Sequence, residues 1–408
     1  MVRGPALPPM LAPVFFCFLL VCSQLAFATE DPHSKAARLH QNSIVIDTHS
    51  DFLDRSAIDG SGLADDTIGS QTTLGKLRQG QIDAQFFSVF VPPAYARYGF
   101  TRRANELIDR LEDQIVEHSG DLEKAVSVEQ IRRIAQRGKI AVLMGVEGGH
   151  AIEGSLETLN QFYQRGVRYM TLTWSNTNAW ADSSGDVARW SGLNDVGVGV
   201  VERMNDLGMM IDISHVSDET FWDVLAITRS PVLASHSGVR AVMDNKRNMG
   251  DDMIRAVASN GGVIQVTFYA RYVDQGFYDQ FKRAERSAQA QFQQLEEKYA
   301  HDPVELDLQQ WSLELALERE IAAPSARKVV DHIDHIVQLV GIDHVGLGSD
   351  FDGMGTPPEG LEHVGKMATI THDLVQRGYS DADIEKVLGG NLLRVFERNE
   401  KNARSHAH

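Results

Sequence analysis

Ile140-Ala141-Val142-Leu143-Met144-Gly145-Val146 is a run without a polar side chain, and it ends on Glu147-Gly148-Gly149-His150. A strand with one face in water alternates apolar and polar residues, whereas a strand covered on both faces does not. The run therefore reads as a strand of a parallel sheet buried on both sides, with a carboxylate where it stops. Seven other runs share this character: Ile44–Ile46, Ala84–Val91, Arg168–Thr173, Met209–Ile213, Val232–Ala234, Val263–Phe268 and His344–Gly348.

Helix-like stretches lie between these runs, among them Arg103–Glu117, Ser155–Gln164, Ser217–Ile227 and Asp251–Ala258. Eight strands alternating with helices predict an α/β protein folded as a closed (β/α)8 TIM barrel. The competing arrangement is an open doubly wound sheet, but no glycine-rich phosphate loop follows the first strand to support it. The long connection Tyr278–Val340 contains Gln289–Lys298 and Leu306–Glu320, both rich in Gln, Glu and Leu. It predicts a helical excursion over 278–340 added to the outer ring, within a single barrel domain spanning 29–408.

Residues 1–28 differ from the rest. Arg3 precedes an apolar run from Leu11 to Val21, and Ala26-Phe27-Ala28 offers the small residues of a cleavage site. That pattern predicts a secretory signal peptide cut near Ala28, and hence an exported protein, periplasmic or secreted. The run is short for the roughly 20 residues that span a bilayer, which argues against a retained anchor. Acylation at Cys22, as in a lipoprotein, is disfavoured by Val21 before it. Cys17 and Cys22 are the only cysteines, so the mature chain would have no disulfide, no thiolate ligand and no cysteine nucleophile. The formal charge of −17 becomes −18 when Arg3 leaves, and so acidic a surface argues against nucleic acid as a partner.

The C-terminal ends of the strands carry the chemistry, because in such a barrel they form the active face. The first strand is followed by Asp47-Thr48-His49-Ser50-Asp51, and an extended backbone points His49 and Asp51 the same way. Glu147 ends the third strand between residues that leave space beside it. Asp212-Ile213-Ser214-His215 and Ala234-Ser235-His236-Ser237 follow the fifth and sixth.

Three histidines and two carboxylates are too few for two separate sites, but they suffice if Glu147 bridges two ions about 3.5 to 4 Å apart. The grouping is then His49, Asp51 and Glu147 on one ion, with Glu147, His215 and His236 on the other. Ligands of nitrogen and oxygen without sulfur suit zinc, with manganese or cobalt as substitutes. Asp350, after the eighth strand, could take a proton from metal-bound water and return it to a leaving amine. Asp352 competes for that role, although Gly353 beside it suggests a turn. Arg247, in the loop after the sixth strand, has the geometry to grip a free carboxylate; a plain surface arginine is the other reading. His332 and His335 fall on the helix before the eighth strand. His40, His118 and His372 read as ordinary surface or helix residues.

In order along the chain, Ile46-Asp47-Thr48-His49-Ser50-Asp51, Gly145-Val146-Glu147-Gly148-Gly149-His150, Ser214-His215-Val216-Ser217, Ala234-Ser235-His236-Ser237 and Gly346-Leu347-Gly348-Ser349-Asp350-Phe351-Asp352-Gly353 resemble the motifs of the membrane dipeptidases. This family, also called renal dipeptidases, sits within the amidohydrolase group, and the likeness runs from Ser43 to Phe396. The resemblance implies a metal-dependent hydrolase barrel with two zinc ions on the ligands named above. It also implies hydrolysis of dipeptides by a metal-bridging hydroxide, with Asp350 handling the proton and Arg247 holding the substrate's terminal carboxylate. Tyr272 matches a family position near the substrate, and the family suggests a homodimer.

One residue departs from the pattern. The family usually has histidine where this chain has Trp174, and that histidine helps polarise the scissile carbonyl and stabilise the oxyanion. Indole donates one hydrogen bond and carries no charge, and losing an oxyanion donor commonly costs about 100 to 1,000-fold in turnover. Trp174 either reshapes the substrate site or marks a changed role. The changed roles are hydrolysis of another small amide or lactone, or metal and peptide binding without catalysis. The five retained ligands, Asp350 and Arg247 favour the first.

Overall fold

Eight parallel strands stand side by side in the order of the chain: β1 (Ile46–Asp47), β2 (Ala84–Phe90), β3 (Ile140–Glu147), β4 (Val167–Thr171), β5 (Met210–Asp212), β6 (Leu233–Ser237), β7 (Val263–Val266) and β8 (Val345–Leu347). The ring closes just beyond β1 and β8. There the Thr48 N–H donates to Leu347 O at 3.3 Å, the Asp350 N–H to His49 O at 3.1 Å and the Asp51 N–H to Phe351 O at 2.8 Å. The (β/α)8 barrel expected from the sequence is therefore present. This computed structural model describes residues 1, 2, 4, 30–66 and 69–406. The chain divides into two compact units, Met1–Asp31 and Pro32–His408, and the barrel belongs to the second. The signal peptide read over 1–28, with Cys17 and Cys22, falls outside the described residues except for 1, 2 and 4.

The unbroken apolar character of β3 has a direct cause. Ala141 and Leu143 join Phe86, Tyr169, Met210, Leu233 and Val263 in the cluster that fills the barrel floor. Val142, Met144 and Val146 face the other way, into the layer shared with the helices. Glu147 has the parity of Ala141, Leu143 and Gly145, so its side chain enters the barrel at the mouth. Phe396 and Leu392, from the last helix Asn391–His406, close the floor. Fully burying one such side chain contributes about 1.5–3 kcal/mol.

Strand limits differ from the sequence reading at both ends of the barrel. β1 is only Ile46–Asp47, and β6 continues to Ser237, which puts His236 within the strand rather than after it. A ninth strand, Leu122–Lys124, pairs in parallel with β3 outside the ring, Leu122 opposite Ile140. Its three residues have no apolar period to betray it.

The long connection before β8 forms four helices, Gln275–Ser287, Gln289–Lys298, Pro303–Arg319 and Arg327–Val340. The third is tied down near β7: Glu314 pairs with Arg271 at 2.8 Å, and Tyr269 Oη donates to Glu318 Oε1 at 2.6 Å.

Candidate metal centre and substrate cleft

His49, Asp51, Glu147, His215 and His236 arrive from four strands and meet in the barrel mouth, all buried. Glu147 stands between them. Its Oε2 lies 3.4 Å from His49 Nε2, which is also 3.4 Å from Asp51 Oδ2. Its Oε1 lies 2.9 Å from His215 Nε2 and 3.3 Å from His236 Nε2. Three groups have ligand atoms within 4.8 Å of one another: His49, Asp51 and Glu147; Glu147, His215 and His236; and His49, His236 and Asp350. The third group brings Asp350 to ligand distance, which the strand spacing did not suggest. His215 and Asp350 adopt left-handed backbone, φ 66° and 71°, a conformation that costs about 1–3 kcal/mol and recurs at functional sites.

The centre fits a divalent cation. His49 Nε2 and Asp51 Oδ1 are buried without any hydrogen-bond partner, and every donor is imidazole nitrogen or carboxylate oxygen. Burial resists ionisation of Glu147, but His49, His215 and His236 outweigh it and hold the carboxyl well below its usual range. Burial and the charge of Asp51 push Asp350 well above the carboxylate range, and burial and Glu147 raise Asp51. Burial pulls His215 down to about 4 and holds His236 well below the usual histidine value. Buried carboxylates crowded together call for positive charge between them.

A second layer that the sequence reading left unassigned orients this centre. Asp212 accepts the Ser214 N–H at 3.0 Å, the Ser235 N–H at 2.8 Å, Ser235 Oγ at 2.6 Å and the Thr171 hydroxyl. Asp47 accepts the Ser349 N–H at 2.8 Å, Ser349 Oγ at 2.6 Å and Gln85 Nε2 at 3.0 Å, tying β1 to β2 and β8. Asp47 and Asp212 stood in the quoted motifs. Their inward parity beside a ligand was the available signal.

Arg247 is buried next to this cluster, donating from Nη1 to Ser237 Oγ at 3.1 Å and from Nη2 to His236 O at 2.7 Å. Its guanidinium carbon lies 5.7 Å from the centre of the Tyr272 ring. Both line a cleft of about 200 Å³ with Ser175, Ser184, Tyr278 and Lys282. Trp174 is half-buried, its ring 4.8 Å from Phe90 and 6.3 Å from His215 between centroids. It therefore stands between the centre and the aromatic wall beside it.

Other residues go elsewhere. Asp352 accepts the N–H groups of Gln71 at 2.7 Å and Thr72 at 2.9 Å, so it braces a loop. The space beside Glu147 is filled: a Cβ on Gly148 would meet the His150 ring at 2.3 Å, and one on Gly149 would meet Trp180 at 2.2 Å. His150 turns away to Val91 O, 2.7 Å from Nε2. His332 and His335 lie on the helix before β8, while His372 and His118 lie on or just after helices. His40 lies on the helix Pro32–Asn42, as one of the two readings had it, and is buried between Thr371 and the Gly80 carbonyl, at 2.7 and 2.9 Å.

A closed parallel barrel with histidine and carboxylate groups gathered at its strand ends is the TIM-barrel fold of metal-dependent hydrolases. The membrane dipeptidase profile (peptidase family M19) matches residues 33–408, and the chain belongs to that family. Dipeptidase 3 of Macaca fascicularis is 35% identical over 81% of this chain and 59% of its own length. Human dipeptidase 3 is 33% identical over 91% of this chain and 68% of its own length. The chain thus spans about three-fifths to two-thirds of these relatives. The crystal structure of the probable dipeptidase PvdM from Pseudomonas aeruginosa superposes with a TM-score of 0.78 at 28% identity, over 91% of this chain and 99% of that one. Among the described residues, no helix is long and apolar enough to cross a membrane.

Proposed function

We propose that this chain is a binuclear zinc dipeptidase that hydrolyses the single peptide bond of a dipeptide. The observation that carries the reading is the division of Glu147, with Oε2 toward His49 and Oε1 toward His215 and His236. His49, Asp51 and Glu147 would hold one ion, and Glu147, His215 and His236 the other. Two zinc ions, when bound, supply Lewis acidity and an ionised water as nucleophile. Arg247 receives the substrate's terminal carboxylate at the inner end of the cleft, with Tyr272 beside it. Asp350, whose carboxyl burial and the charge of Asp51 hold well above the carboxylate range, takes a proton at its carboxylate and returns it to the departing amine.

Trp174 favours a substrate site unlike that of relatives with histidine there. Its indole contributes a flat apolar face against Phe90 and one N–H donor. Export rests on Arg3, Leu11–Val21 and Ala26-Phe27-Ala28, with the barrel domain occupying 29–408 and pairing as a homodimer as the family suggests.

The test is release of free amino acids from a panel of L,L and L,D dipeptides, with zinc-loaded and EDTA-treated protein side by side. Zinc-dependent release is the expected result. No release from a sample carrying two zinc ions would overturn the dipeptidase reading in favour of another amide or lactone, or of binding alone.

A further inference from the structure

Hydrogen-bond counting around the two innermost histidines leads to a role for residues outside the ligand set. Tyr169, on β4, has its hydroxyl 2.8 Å from His49 Nδ1 and 3.0 Å from the carbonyl of Thr48. A carbonyl only accepts, so the single phenolic proton points to Thr48 O. The contact with His49 then requires Nδ1–H as donor and Tyr169 Oη as acceptor.

The same count applies on the other side. Ser235 Oγ lies 2.6 Å from Asp212 Oδ2 and 2.7 Å from His236 Nδ1. Asp212 accepts all four of its hydrogen bonds, from the N–H groups of Ser214 and Ser235 and the hydroxyls of Thr171 and Ser235. The serine proton goes to Asp212, and His236 must donate Nδ1–H to Ser235 Oγ. In both rings Nε2 is left to face Glu147 with its lone pair.

We infer that Tyr169 and Ser235 are positioning residues that lock His49 and His236 in the Nδ1–H tautomer, so that both rings present a bare Nε2 to the metal ions. The inference rests on the ligand assignment proposed above. Which nitrogen of a histidine is free to bind metal is set by the bond its other nitrogen makes. The two locks differ in kind: one is a phenol anchored to the backbone, the other a serine anchored to a buried carboxylate. Space for the first is reserved in the neighbouring strand, because a Cβ on Gly145 would lie 1.9 Å from the Tyr169 ring. Gly145 and Tyr169 are register partners of β3 and β4.

The test uses the full chain as Tyr169→Phe and Ser235→Ala, variants that remove one hydroxyl each and little volume. Zinc affinity is read by chelator competition, and the ring nitrogens by long-range proton–nitrogen spectra of zinc-loaded protein labelled with 15N-histidine. The unaltered protein should show two slowly exchanging Nδ1–H imidazoles. Tyr169→Phe should abolish the protection of one, Ser235→Ala that of the other, and each should weaken zinc binding about 10- to 100-fold.

Unchanged spectra and unchanged affinity in both variants would overturn the inference. So would a lowered melting temperature with both Nδ1–H signals intact, which marks a packing role. Because neither readout involves hydrolysis, absence of dipeptidase activity in a protein with both locks intact would refute the functional reading and leave this one standing.

Discussion

His49 and His236 stack in the barrel mouth with ring centroids 3.8 Å apart and planes 29° from parallel. Two imidazolium rings would repel at that distance, and the protein avoids this by separating their proton affinities. Burial lowers both. For His49, Tyr169, Glu147 and Asp51 outweigh burial and raise it well above the usual histidine value, whereas the His49 charge lowers His236 further. The proton affinity of the stack therefore rests on His49, whose Nε2 faces Glu147, and a metal ion bound at that nitrogen would take the proton's place.

Glu147→Gln tests the consequence. The amide keeps the shape but removes the charge and one acceptor oxygen from the point where both ligand groups meet. Elemental analysis should show fewer than two zinc ions per chain, and amino acid release from a dipeptide should fall by more than about 100-fold, the upper range for disturbing groups behind a ligand. Two zinc ions retained at full occupancy would rule out Glu147 as the bridge.

Arg247→Met tests the carboxylate clamp. Charge-assisted hydrogen bonds contribute about 1.5–3 kcal/mol, so KM for ordinary dipeptides should rise about 10- to 100-fold with kcat within a few-fold. A dipeptide amidated at its C-terminus lacks the partner and should respond equally to both proteins. Equal losses on free and amidated substrates would instead make Arg247 a brace for the His236 carbonyl and Ser237, which it also touches.

How much of this was readable in the chain follows from the range of each interaction. The barrel was legible because its strands are apolar on both faces, as Ala141 and Val142 show by belonging to different clusters. The cluster of candidate ligands was legible because Glu147 and His49-x-Asp51 fall at strand ends. The Tyr169 lock was not, since a tyrosine in an apolar strand looks like core. Only its register opposite Gly145 reveals that its hydroxyl reaches β1. The left-handed backbone at His215 and Asp350 and the short strand Leu122–Lys124 depend on tertiary context and leave no local pattern.

Trp174→His tests the proposed departure from the family. The half-buried indole leaves ample room for an imidazole between Phe90 and His215. If an oxyanion donor is what the chain lacks, kcat should rise about 100-fold, the lower end of the effect of such donors. Rates across the L,L and L,D panel provide the check. An unchanged kcat with a reordered panel would assign Trp174 to substrate choice alone.

Asp83 offers a pH dependence independent of the metal centre. Its Oδ2 accepts the Val45 N–H at 2.8 Å where the chain enters β2, and burial pushes its pKa from 3.8 to about 6. A carboxyl with a raised pKa in the folded state favours folding below its unfolded value, and that contribution is lost as pH rises through 6. The swing over two units is at most about 3 kcal/mol. Asp83→Asn keeps the acceptor oxygen and removes the charge. Urea denaturation should therefore find the variant more stable than the parent by up to about 3 kcal/mol near pH 7.5, with the difference closing below about pH 4. The metal ligands are common to both proteins, so their proton uptake cancels in the difference. A difference that stays flat with pH, or favours the parent at neutral pH, would mean that the bond to Val45 outweighs the burial of the charge.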